Sequence, residues 1–165
     1  MEKRLILTDE NSTVALGERI GRSCRGGETL LLTGALGSGK TTLVRGVARG
    51  LGITRGVRSP TFQLLREYHG RLTLYHADLY RFEPGGDPAA ELGLDELPGP
   101  EGVLAVEWAE RGFPFGRRGP LGCGYRDIGG LSISLDFAGT GRSAVLATRD
   151  GAHLHLLVGV EGWNV

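Results

Sequence analysis

Lysine is nearly absent from this chain: of its 19 basic residues only Lys3 and Lys40 are lysines, the rest being arginine. Cysteine is as scarce. Cys24 and Cys123 stand far apart, with no C-x-x-C spacing and no neighbouring histidine pair, which excludes a disulfide framework and a zinc site. No apolar run approaches the ~20 residues that span a bilayer. The opening Met1-Glu2-Lys3-Arg4 leads only into a short apolar triplet, so the expectation is a cytoplasmic protein without membrane contact. Excess charge is missing too: 19 basic and 19 acidic residues balance, which removes any general attraction to nucleic acid or an anionic surface. What the chain has in abundance is glycine, 29 of 165 residues, and we read this and the arginine bias as genomic composition. Its length fits a single domain over 1–165 that can bury a core without disulfides or a structural metal.

Along the chain, 5–7 reads as a short strand, followed by N-cap candidates at 8–13 and a helix carrying Val14, Leu16 and Ile20. The apolar run 29–33 predicts a strand buried on both faces of a parallel sheet. Leu43, Val47 and Leu51 predict a helix over 41–51, stopped by Gly52. Residues 62–68 and 72–76 read as strands of a hairpin turned at His69-Gly70-Arg71, 89–97 as a short helix, and 102–106 as a second buried strand. The segment 113–130 has no periodicity and reads as a loop. Residues 131–137 alternate and face 142–148 across Gly139-Thr140-Gly141, a further hairpin; 153–158 fits either strand or helix.

Gly34-x4-Gly39-Lys40-Thr41 matches the Walker A pattern. In that pattern backbone N–H groups surround the phosphates, the lysine reaches the outer phosphates and the hydroxyl binds magnesium. A chance match is the bland alternative in a glycine-rich chain. The loop nevertheless stands between a predicted strand and a predicted helix, and uses one of only two lysines. We therefore expect ATP or ADP, with magnesium, on Gly37, Ser38, Gly39, Lys40, Thr41 and Thr42.

Nucleotide-bound magnesium takes one or two protein oxygens, often a carboxylate at the end of a neighbouring strand. Two acids qualify. Glu107 ends the apolar run Val103-Leu104-Ala105-Val106, and Asp78 stands just past the strand-like run 72–76. Each could instead be a solvated cap. Ser59-Pro60-Thr61 lies where nucleotide-switch proteins sense the γ-phosphate, or is a tight turn. His76 is read as a packed strand-end residue in preference to a proton carrier, and Trp108 as core or interface.

Several of these segments together resemble one family. Gly34 to Thr42, Ser59-Pro60-Thr61-Phe62, His76-Ala77-Asp78-Leu79-Tyr80-Arg81, Glu91-Leu92-Gly93-Leu94 and Val106-Glu107-Trp108 are similar to TsaE, the bacterial ATPase of tRNA threonylcarbamoyladenosine biosynthesis. The resemblance runs to about Arg111. It implies an ATPase that joins TsaB and TsaD, which transfer threonylcarbamoyl to adenosine 37 of ANN-decoding tRNAs, with TsaC supplying the adenylate. Its hydrolysis would reset that complex between turnovers, and its contact with tRNA would be indirect. By motif position Thr41 resembles the magnesium hydroxyl, Asp78 and Glu107 the acids of the metal and water shell with Lys40 as their catalytic companion, and Thr61 part of the switch. Glu10 and Arg142 sit where the family touches the nucleotide from outside the loop. Two departures stand out: Ala35 replaces the family's Asp, and 113–130 does not follow the pattern.

The expected fold is an α/β three-layer P-loop domain with a mostly parallel sheet and antiparallel additions. Two other functions fit the residues. A small-molecule kinase could use Arg117, Arg118 and Arg126 as a lid, and a non-hydrolysing module could use ATP only to order a docking surface.

Overall fold

The computed structural model describes residues 1–60, 62–83, 86–112, 129–149 and 151–163. Thr61, Cys123, Arg117, Arg118 and Arg126 lie outside the described residues. Among the described residues seven strands form one sheet: β1 (Glu2–Leu7), β2 (Glu28–Thr33), β3 (Leu65–His69), β4 (Thr73–Asp78), β5 (Gly102–Glu107), β6 (Leu131–Ala138) and β7 (Gly141–Ala147). Their spatial order is β1-β7-β6-β2-β5-β4-β3. The four central strands β6, β2, β5 and β4 run parallel, while β3 at one edge and β7 and β1 at the other pair antiparallel. The helices are α1 (Glu10–Ser23), α2 (Lys40–Gly50), α3 (Pro88–Glu91) and α4 (Leu154–Val158).

Alternation along the central strands sorts their side chains into two layers. Leu30 and Leu32 of β2 and Val103 and Ala105 of β5 join Leu16, Ile20, Leu43 and Val47 in one buried cluster. Leu31, Leu104 and Val106 face the other way, against Ala89 and Leu94. Burial of a leucine side chain contributes about 1.5–3 kcal/mol, so helices on both faces account for the near-continuous apolar reading of β2 and β5.

Helices α1 and α2 approach through glycine. A Cβ on Gly46 would lie 2.2 Å from the carbonyl oxygen of Val14, and one on Gly17 2.2 Å from that of Leu43. Gly21 and Gly50 repeat the contact one turn on. Backbone against backbone brings the start of α1 beside the start of α2, and both starts line the site described below.

The strand expected over 62–68 begins only at Leu65, because the N–H groups of Gln63 and Leu64 both turn back to the carbonyl of Pro60 and Leu64 has φ 61°. The helix expected over 89–97 is two pieces, α3 and a 3₁₀ turn Leu94–Glu96, separated by Gly93 at φ 65°. The ambiguous 153–158 is the helix α4 after a 3₁₀ turn, Gly151–His153. Cys24 is buried, donates its thiol to the Ile20 carbonyl, and is pushed up to about 12 chiefly by that burial. No helix among the described residues is long and apolar enough to cross a membrane.

Candidate functional site

Where β2 ends the chain turns through the glycine-rich loop into α2. Gly34 (φ 136°) has no room for a side chain, since a Cβ would stand 2.2 Å from the Leu135 carbonyl oxygen. Gly39 takes the N-cap position at φ 106°, and no side chain caps the helix. The first intrahelical bond here runs from Leu43 N to Gly39 O (2.9 Å). The N–H groups of Lys40, Thr41 and Thr42 thus precede the ladder and form the donor-rich, positive end of the helix that suits a phosphate. Ser38 Oγ is buried beside them, with no hydrogen-bond partner among the described residues.

Lys40 is buried, and its Nζ donates to the carbonyls of Gly34 (2.6 Å) and Ala35 (2.9 Å), 4.1 Å from the centre of the Trp108 ring. Burial lowers its pKa from the ordinary lysine value, opposed by the negative charges of Glu107, Glu110 and Asp78. Ala35, the position that departs from the family, contributes only backbone here, accepting from Lys40 and from Ser38 N.

Asp78 and Glu107 are the last residues of neighbouring parallel strands and stand directly opposite each other in the register. Both are buried. Thr41 Oγ1 donates to Glu107, 2.8 Å from Oε1 and 3.0 Å from Oε2, and His76 Nε2 reaches the same Oε1 at 2.8 Å. Asp78 accepts from Ser59 Oγ (2.7 Å) and from Tyr80 N (2.9 Å). Because the Thr41 hydroxyl gives its proton to Glu107, its lone pairs remain available to a cation. These hard oxygen donors fit magnesium, and no group of three His, Cys, Asp or Glu that could hold a metal occurs among the described residues. Such a site would lean on nucleotide oxygens to complete its shell.

A cleft of ≈ 240 Å³ on the outer side of the loop is lined by Asp9, Glu10, Thr13, Gly37, Ser38, Gly39, Thr42 and Arg142. Glu10 and Arg142, far apart in sequence, both line this cleft. Asp9 caps α1 by accepting from Ser12 N (2.7 Å), which sets Glu10 in the first turn. Arg142 follows the tight turn between β6 and β7 and donates to Gly37 O (3.2 Å), with its guanidinium over Phe137. Phe62, past Ser59 in the chain, is 84 % exposed with Arg81 over its ring. Trp108, at φ 56°, packs on Tyr80, and Arg111 lies over both rings.

The structure therefore brings Gly37, Ser38, Gly39, Lys40, Thr41, Thr42, Asp78, Glu107, Glu10 and Arg142 around one loop. Residue-by-residue reading did not foresee Ser59 on Asp78, Trp108 over Lys40, or a polar partner for His76. A signal for the last existed. His76 and Asp78 are two apart on a strand, so they share a face.

The family model described as "Threonylcarbamoyl adenosine biosynthesis protein TsaE" matches residues 7–121. The tRNA threonylcarbamoyladenosine biosynthesis protein TsaE of a Nostoc species is 45 % identical over 114 residues, 66 % of this chain and 68 % of that protein. Its namesake from Aquifex aeolicus is 43 % identical over 115 residues, 68 % of this chain and 80 % of that one. The crystal structure of Bacillus subtilis YdiB matches with a TM-score of 0.73 at 30 % identity, over 96 % of this chain and 93 % of that one.

Proposed function

This chain belongs to the TsaE family of tRNA threonylcarbamoyladenosine biosynthesis, and from that premise we propose that it is a magnesium-dependent ATPase that acts with TsaB and TsaD, downstream of TsaC. The observation that carries the ATPase reading is the convergence of a phosphate-cradling loop, Lys40 and the hydrogen-bonded pair Thr41–Glu107 at the carboxyl ends of β2 and β5. Ligands of open parallel sheets sit at that end.

The α2 N-terminus and Lys40 would bind and orient the β- and γ-phosphates of ATP, with Lys40 leaving the Gly34 and Ala35 carbonyls to do so. Magnesium, when bound, would neutralise charge on the phosphate oxygens. Thr41 and Asp78 supply oxygens toward that cation. Glu107 orients the attacking water and takes its proton, so that ATP and water give ADP and inorganic phosphate. Glu10, Thr13 and Arg142 would hold the rest of the nucleotide in the outer cleft. Asp78 is also the residue that ties down Ser59, so occupancy of the site would reach the segment 59–62 and the exposed Phe62. That path offers a way to couple hydrolysis to release of a partner, with tRNA contact remaining indirect.

The test is tRNA modification reconstituted with TsaB, TsaC and TsaD. With this protein present the reaction is expected to run through many turnovers, and to stall after about one when Glu107→Gln replaces it. Equal rates with and without the protein would overturn the proposal, whatever the ATP site does.

A further inference from the structure

We propose that His76 is a positioning residue for hydrolysis: it fixes the Glu107 carboxylate by donating a hydrogen bond from Nε2. The inference rests on the reading of Glu107 given above. Strand alternation places His76 on the face of β4 that also carries Asp78, and the β4–β5 register sets it opposite Ala105, two residues before Glu107. The imidazole is wholly buried, at 0 % exposure, and its Nε2 lies 2.8 Å from Glu107 Oε1.

An ionised carboxylate only accepts, so the contact is Nε2–H donating to oxygen. Nδ1 is buried with no hydrogen-bond partner among the described residues. Leaving a buried polar atom bare is costly, and a residue present only to fill space would be apolar there, like its strand neighbours Leu74 and Ala77. The polar contact that His76 makes, and that sets it apart from such a filler, is the one to Glu107.

Glu107 needs that second anchor. Thr41 grips the carboxylate from α2, and a single donor leaves the group free to swing about that bond. His76 holds it from β4, so the two donors arrive from different elements of the fold. Asp78 is treated alike, gripped by Ser59 Oγ and by Tyr80 N. Both carboxylates at the ends of these strands are thereby oriented before any substrate arrives, the condition for charge placement to lower a barrier.

The test compares His76→Gln, whose amide nitrogen reaches the place of Nε2, with His76→Asn, whose amide nitrogen stops near the place of Nδ1. Single-turnover hydrolysis of ATP with magnesium is measured in the presence of TsaB and TsaD, alongside affinity for ATP and thermal melting. His76→Asn is expected to slow hydrolysis about 10-fold or more, with ATP affinity and melting close to those of His76→Gln. His76→Gln should keep most of the wild-type rate. Combining His76→Asn with Glu107→Gln should slow hydrolysis no further than Glu107→Gln alone. If Asn and Gln behave alike while Glu107→Gln is slow, His76 does not act through this bond and the inference falls while the reading of Glu107 stands. If Glu107→Gln hydrolyses as fast as wild type, or the wild type leaves ATP intact, that reading falls and takes the inference with it.

Discussion

Ser59 Oγ lies 2.7 Å from Asp78 Oδ2 and donates to it, so a charge-assisted hydrogen bond joins the segment that follows the loop helix to the end of β4. Ser59→Ala removes that fastening without touching the phosphate cradle. ATP affinity should stay within about threefold while single-turnover hydrolysis slows by roughly 10-fold, the usual scale for a partner that orients a ligand carboxylate. In a double-mutant cycle the loss should be shared with Asp78→Asn instead of adding to it. Fully additive effects would show that Ser59 does not act through Asp78.

Lys40→Ala should abolish or greatly weaken ATP binding and leave the fold intact, because its Nζ is the cation inside the loop. Its pKa is lowered by burial, which gives a pH signature. The charge is fully present below the lowered pKa and is lost as pH rises through it, so ATP affinity should weaken at a lower pH than an ordinary lysine, at 10.5, would allow. The sign for stability is the opposite: burying the ammonium disfavours the folded state, so the unliganded protein gains from this group as pH climbs from the lowered pKa toward 10.5. Calorimetric titration with ATP from neutral to alkaline pH checks the first. An affinity flat to pH 10.5 would contradict it.

Arg142→Ala should raise the dissociation constant for ATP and leave the single-turnover rate at saturation nearly unchanged, since Arg142 lines the outer cleft with Glu10 and not the strand ends. A loss confined to the rate would move Arg142 out of a binding role.

Gly46→Ala should destabilise the fold by about 1–3 kcal/mol or more, the cost of overpacking a tight contact. Its new methyl would stand 2.2 Å from the Val14 carbonyl oxygen, a backbone atom that cannot rotate away. Because this contact also sets α1 beside the loop, ATP affinity should fall with the melting temperature. A chain that melts like wild type would mean that α1 and α2 slide apart at little cost.

Much of this was written locally. The strand, loop and helix of the phosphate cradle follow from an apolar run, glycines at fixed offsets and a 3.6-residue period, all within 29–51, because each depends on neighbours in the chain. The carboxylates could be nominated too, since strand ends are legible from where an apolar run stops. What sequence could not say is which strands are neighbours. Asp78 faces Glu107 only because β4 lies parallel beside β5 in one register, and a slip by one residue would turn His76 and Glu107 to opposite faces. His76 therefore reads as packing until that register exists. Likewise Gly17, Gly21, Gly46 and Gly50 look like composition until two helices cross with their backbones touching, and Arg142 comes to line the same cleft as Glu10 only after a C-terminal hairpin has joined the sheet beside β2. The chemistry-bearing residue types were set by the chain itself; their distances, and hence their hydrogen bonds, came from long-range pairing, where burial of apolar faces on both sides of the sheet selects one register among many.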